Sequence, residues 1–313
     1  MVGGGVIHLL KQKEIQVISL IETKLNENSL DVIMRRKFSA DEGEALDRAI
    51  GSVVGTLIGP LSLRFVVEKM WKNAGYSKAG DLESGTQPLY PGMLESPDLR
   101  WAFIRKIYFI LCVQLALTVA VASVVVSVDA IPQFLLSSNT GLAVYIAIVF
   151  LPIITLCPLS CYYQRHPVNL LLLGLFTVSL SFAVGMTCAF TSGKVILEAA
   201  ILTAVVVVSL TLYTFWAARR GHDFSFLGPF LFAALMILLV FSFIQILFPL
   251  GKISVMIYGG LAAIIFAAYI VYDTDNLIKR YTYDEYIWAA VALYLDIINL
   301  FLNLLTILRV SNN

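Results

Sequence analysis

Long uncharged runs alternate with short polar stretches along most of this chain, and the pattern is neither the two-residue period of strands nor the one-faced period of soluble helices. Residues 107–128, 141–163, 168–191, 195–218, 226–248, 253–272 and 286–308 are each apolar over most of their length. Crossing about 30 Å of hydrocarbon takes roughly 20 helical residues, so each run is long enough to span a bilayer. Only helices and closed barrels satisfy their backbone polar groups in lipid. The expected fold class is an all-α polytopic membrane protein, a seven-helix bundle occupying residues 104–310.

The polar stretches are asymmetric. Arg100, Arg105 and Lys106 precede the first run, Arg165 follows the second, Arg219 and Arg220 the fourth, and Lys279 and Arg280 the sixth. The alternate loops carry only Lys194 and Lys252. The positive-inside rule places the basic loops and the N-terminus in the cytosol. Seven full crossings put Arg309 on the far side, whereas a re-entrant last segment returns it to the cytosol. Both readings stay open.

Composition agrees. Hydrophobic residues make up 59% of the 313 and charged ones 14%, with a mean hydropathy of +0.84. Ordinary soluble domains have roughly 45–50% and about 25%. The net charge of +1 gives no electrostatic case for nucleic-acid binding, and the lipid bilayer is the expected partner. Cys112, Cys157, Cys161 and Cys188 all fall within apolar runs and read as small buried hydrophobes. Cys157, Cys161 and His166 alone are too few to hold a structural metal.

Residues 71–103 read as a polar, Gly- and Pro-containing cytosolic tail. Residues 1–70 read as an atypical N-terminal extension, a fused or mispredicted exon. No signal peptide is expected at the start, which leaves the first long run as the insertion signal.

Acids inside apolar runs are the candidate chemistry. A carboxylate at mid-bilayer costs about 2.5–3.5 kcal/mol on insertion scales, so it marks a functional site by default. Asp273 in "YIVYDTDNL" and Asp296 in "ALYLDIINLF" are such acids. If the last two helices are antiparallel neighbours around "YTYD", the two lie at similar depth. Tyr269, Asp273, Asn276 and Arg280 form one helical stripe, and Asp296, Asn299 and Asn303 another. Two carboxyls in one site do not easily both ionise, so the pair would share a proton, sense pH and hold a hard cation such as Ca²⁺. Asp275 reads as an exposed neighbour, and Lys279 and Arg280 as topology charges. Glu198 reads either as a supporting acid or as an ordinary first-turn residue. Intramembrane aspartyl proteases also use two aspartates, but "LYLD" lacks their Gly-x-Gly-Asp element, and no enzyme is expected.

From residue 70 to 309 the chain resembles the plant Lifeguard proteins of the Bax inhibitor-1 (TMBIM) family. The likeness rests on "LYPGMLESPDLRWAFIRK", "QRHPVNLLLLGLFT", "SGKVILEAAILT", "RRGHDFSFLGPFLF", "SVMIYGG" and "YIVYDTDNLIKRYTYDEYIWAAVALYLDIINLFLNLL". The resemblance implies a seven-helix fold with a central last helix. It also implies a pH-dependent Ca²⁺ leak across intracellular membranes and suppression of cell death. The endoplasmic reticulum, Golgi or vacuole is the expected location. The two-aspartate sensor of the bacterial member maps onto Asp273 and Asp296, which are then also the implied Ca²⁺ ligands. That sensor uses an arginine in the loop after the second helix. Tyr163 falls at its place, with Arg165 two residues on as the expected substitute. Other cell-death regulators in the membrane are the implied protein partners, and the alternative function is regulation through them without ion flux. No cofactor beyond the transported or sensed Ca²⁺ is implied.

Overall fold

A computed structural model describes residues 88–128, 130–137, 139–247 and 251–312. The readings of residues 1–70, and of the tail as far as residue 87, lie outside them. The described chain is helical: α1 (Pro97–Ser127), α2 (Ala130–Ser137), α3 (Asn139–Tyr162), α4 (Val168–Ala189), α5 (Gly193–Arg219), α6 (Leu227–Leu247), α7 (Lys252–Lys279) and α8 (Tyr286–Asn312), with a 3₁₀ turn at Tyr283–Glu285. Six of these helices (α1, α3, α4, α5, α7 and α8) are long and apolar enough to cross a membrane; α6 shows a shorter apolar stretch over Leu227–Ser242. The protein is a multi-pass helical membrane bundle. The short helix α2 stands where the sequence reading had only a loop.

α1 begins at Pro97, well ahead of its apolar run. Proline suits a first helical turn because that turn's N–H groups lack intrahelical partners. α3 contains Pro152 and Pro158, each of which removes one backbone bond. Thr155 Oγ1 donates to Pro152 O at 2.8 Å and Ser160 Oγ to Cys157 O at 2.7 Å, so hydroxyls occupy carbonyls near the breaks. The turn into α8 carries its own stop and start. Thr282 N–H donates to Glu285 Oε2 at 3.0 Å, and the Thr282 side chain accepts in return, a capping box spelled "TYDE".

α8 is the central helix. It packs against α7, α5, α1 and α4, while α1 and α3 also pack on α4, and α6 on α7. Its 27 residues amount to about 40 Å at 1.5 Å per residue, long enough to span. Small residues let the inner helices approach. A Cβ on Gly185 of α4 would come within 2.9 Å of Val125 Cβ, and one on Gly259 of α7 within 2.9 Å of Ile307 Cγ1 on α8.

Hydrogen bonds fasten α1, α4 and α8 at mid-height. Gln114 Nε2 donates to Thr177 Oγ1 at 3.0 Å, Ser181 Oγ to Thr118 Oγ1 at 3.0 Å, and Thr118 Oγ1 shares a 2.8 Å bond with the wholly buried Tyr294 hydroxyl. In lipid such bonds replace the hydrophobic drive that soluble bundles use.

Candidate functional site

The acid pair sits on the two helices joined by the 3₁₀ turn. Asp273 lies six residues before the last residue of α7 and Asp296 ten residues after the first of α8. Each is 7% exposed. The Asp296 carboxyl is hydrogen-bonded to that of Asp273, and its Oδ2 has no protein hydrogen-bond partner. The Tyr269 hydroxyl, one turn earlier on α7, lies in the field of both carboxyls and is likewise unpartnered. Asn276 Nδ2 reaches Asp273 Oδ1 at 3.4 Å. Asn299 Nδ2 donates to Leu295 O at 2.8 Å and Asn303 Nδ2 to Asn299 O at 2.7 Å, so both amides bond their own helix. Burial of two carboxyls side by side is what an acid pair needs if a proton or a cation is to bind between its members.

The structure does not bring the remaining candidates to this pair. Arg165 is exposed on the α3–α4 loop with its guanidinium over the Tyr162 ring, 5.5 Å from the centroid. Glu198 lies in the second turn of α5, half-exposed and 3.8 Å from Lys194 Nζ. That loose pair has the i,i+4 spacing of an ordinary surface ion pair. Among the described residues, no three His, Cys, Asp or Glu side chains cluster.

Several groups read as bland are engaged. Asp275 is fully buried, not exposed: it is ion-paired with Lys279 and accepts the Phe224 N–H at 3.2 Å. Lys279 Nζ also donates to His222 O. Arg280 Nη2 donates to Asp223 Oδ1 at 2.9 Å, and its Nη1 to Asn276 Oδ1 at 3.2 Å. The α5–α6 loop is thus clamped to the end of α7. Partial burial pushes the Asp223 carboxyl up, but Ser225 hydrogen bonds and the Arg280 and Lys279 charges outweigh it and hold that carboxyl below the usual range. The i,i+4 spacing of Asp275 and Lys279 was visible in sequence; their partners on another loop were not. Cys112, Cys157 and Cys161 are exposed on their helices rather than buried, because an apolar residue on a bundle in lipid has no reason to turn inward; only Cys188 is in the core.

Further contacts close the same, basic end of the bundle. The guanidinium of Arg100, 4% exposed, pairs with Glu95 and donates to Tyr281 O at 2.7 Å. Glu95 Oε2 accepts from the Tyr283 hydroxyl at 2.7 Å. Across the bundle the Tyr286 hydroxyl meets His166 Nε2 at 2.6 Å and accepts from Asn169 Nδ2 at 2.8 Å, with Lys106 Nζ 3.3 Å from the centre of the Tyr286 ring.

Residues 100–313 match the family described as Inhibitor of apoptosis-promoting Bax1. The chain belongs to the Bax inhibitor-1 family. It is 69% identical to Protein LIFEGUARD 2 of Arabidopsis thaliana over 234 residues, 75% of this chain and 98% of that protein. To Protein LIFEGUARD 3 of the same plant it is 66% identical over 241 residues, 76% of this chain and 97% of the relative. The Golgi anti-apoptotic protein of Vaccinia virus (strain Lister) is 38% identical over 217 residues, 69% of this chain and 89% of that protein. The Bax inhibitor-1 match covers every described helix except the first three residues of α1, and it includes both acids of the pair.

Proposed function

We propose that this protein restrains cell death from within an intracellular membrane and does so through a pH-sensitive Ca²⁺ leak at Asp273 and Asp296. The contact between two buried carboxyls on adjacent inner helices carries the reading. Such a contact holds only with a proton or a cation between the groups. Proton loss leaves two negative oxygens facing each other, and the repulsion either parts α7 from α8 or draws in a divalent ion. Carboxylate, hydroxyl and amide oxygens are the donors a hard cation prefers. Two carboxyls, the Tyr269 hydroxyl and the Asn276 amide are fewer than the six to eight oxygens of a tight Ca²⁺ site. A sparse set suits passage rather than storage.

The anti-apoptotic description of the family and of the viral Golgi relative supports the cell-death role and favours an endomembrane location. The placement of Arg100, Arg165, Arg219, Arg220, Lys279 and Arg280 at one end of the bundle supports a cytosolic basic end and N-terminus.

The test is Ca²⁺ flux into proteoliposomes from about pH 5 to about pH 8, wild type against Asp296→Asn. The expected result is a pH-dependent leak whose pH dependence is lost in the variant while its folding and expression are retained. An unchanged flux–pH curve would sink the role of the pair. If neither protein leaks and Asp296→Asn protects cells as well as wild type, the protein acts through protein partners instead.

A further inference from the structure

Two of the four thiols stand on one face of α3, beside the basic end of the bundle. Cys157 and Cys161 are exposed and four residues apart, so they lie one above the other on the helix. Cys161 is one residue from the last residue of α3, and Cys157 lies one turn, about 6 Å, further in. The residues that follow mark where hydrocarbon gives way to headgroups. Tyr162 is exposed with the Arg165 guanidinium over its ring, and the Tyr163 ring lies 6.3 Å from that of Trp288 at the start of α8. Aromatic rings and arginines gather at that depth because each joins an apolar body to a polar tip.

The same face of α3 shows what such thiols are placed to carry. Phe150, Ile154, Cys157 and Cys161 follow i, i+4, i+7 and i+11 and are all exposed, so the thiols cap a continuous outward stripe. From Cys161 to Phe150 is eleven residues, about 16 Å along the axis, against about 15 Å for half of the hydrocarbon core. An alkyl chain attached at Cys161 therefore lies along apolar side chains for the depth of one leaflet. The packed side of α3 is elsewhere, where Leu156 and Leu159 are buried in the core.

We propose that Cys161, with Cys157 as a second acceptor, is a site of S-acylation by a long-chain fatty acid. This inference rests on the cytosolic placement of the basic end, because the acyl donor, an acyl-coenzyme A thioester, is cytosolic. The sulfur of Cys161 attacks the thioester carbonyl carbon, and a new C–S bond forms as the old one breaks. Coenzyme A leaves as its thiol with the proton that Cys161 gives up, and nothing is oxidised or reduced. Juxtamembrane cysteines are acceptors of this reversible modification. A multi-pass protein does not need the chain as an anchor. The chain instead covers the outward stripe of a helix whose backbone ladder is interrupted at Pro152 and Pro158, and it holds the α3–α4 loop at the headgroups. The other thiols are placed differently. Cys188 is in the core, and Cys112 lies six residues, about 9 Å, inside Lys106 on α1 with no helix end beside it.

The test is metabolic labelling of the full chain in plant cells with an alkynyl fatty acid, read as hydroxylamine-sensitive label after coupling to a dye. A known S-acylated protein in the same cells controls for labelling, and the amount of each variant is read on the same gel. Wild type and Cys112→Ser are expected to carry the label. Cys161→Ser should lose most of it, and the double variant Cys157→Ser, Cys161→Ser all of it. An unlabelled wild type beside a labelled control, undiminished label in Cys161→Ser, or label in the double variant overturns the inference. A membrane-impermeant maleimide on sealed microsomes, after hydroxylamine, separates this outcome from orientation. Reaction at Cys161 from the cytosolic side without any acyl label removes the acylation alone. Reaction only after the membranes are opened removes the cytosolic basic end and the acylation together.

Discussion

α5 and α8 are each 27 residues long, and by composition either could be the interior helix. α5 is the more apolar, yet only 17% of its membrane-length window is buried, against 61% for α8. Leu197, Ile201, Val205, Val208 and Leu212 of α5 all face outward, while α8 buries Tyr294, Asp296 and Asn299. In water the greasier helix would have gone inside. In lipid the order reverses, because hydrocarbon solvates leucine as well as the protein interior does, and what must be enclosed is the polar side chain.

The comparison can be broken most severely where inner helices touch. Gly259→Leu places a side chain where even a Cβ would meet Ile307 of α8 at 2.9 Å. Overpacking of about 3 kcal/mol or more is expected, read as a sharp fall in thermal unfolding temperature in detergent. Gly185→Leu, against Val125 and Ala122 of α1, is expected to behave alike. A monodisperse Gly259→Leu protein with the wild-type unfolding temperature would show that α7 and α8 are not closely packed.

A smaller loss is expected at the polar seam. Tyr294→Phe removes the hydroxyl that Thr118 shares and should cost about 0.5–1.5 kcal/mol in the same assay. The matching change on the outer helix, Val208→Ala, exposes no cavity to the interior and should stay within about 0.5 kcal/mol. A larger effect from Val208→Ala than from Tyr294→Phe would invert the assignment of inner and outer helices.

The smallest effect concerns pH. The Asp223 carboxyl is held below its ordinary range, so its contribution is present above the unfolded carboxylate value of about 3.9 and is lost as pH falls toward the folded value. Acid destabilisation measured between about pH 6 and about pH 3 should therefore be slightly weaker in Asp223→Asn than in wild type. The side chain is more than half exposed, so the difference will be small and salt-sensitive.

The order of the helices was legible in the sequence because span length and loop charge are local properties. The α7–α8 turn was legible too, since "TYDE" encodes its own capping box. Asp273 and Asp296 were legible as a pair because acids in apolar runs are costly and their stripes repeat at helical spacing. Asp275 was not: two residues from Asp273, it faces the other side of α7, and its burial depends on Phe224, which is 51 positions away in the chain. Arg165 and Glu198 failed for the same reason in reverse. Their charge type suited the pair, but their helix ends lie elsewhere.

The sequence by itself determined that this is a helical membrane protein of the Bax inhibitor-1 family, with two acids inside its last two helices. Hydrophobic length, charge asymmetry and motif residues carry that much because none of them depends on what packs against what. Only the tertiary structure decided that the two carboxyls touch and that Arg280 divides its guanidinium between Asn276 and Asp223. Those facts are set by contacts between segments far apart in the chain, where a bilayer rewards enclosing polar groups and a hydropathy pattern is silent about which neighbours enclose them.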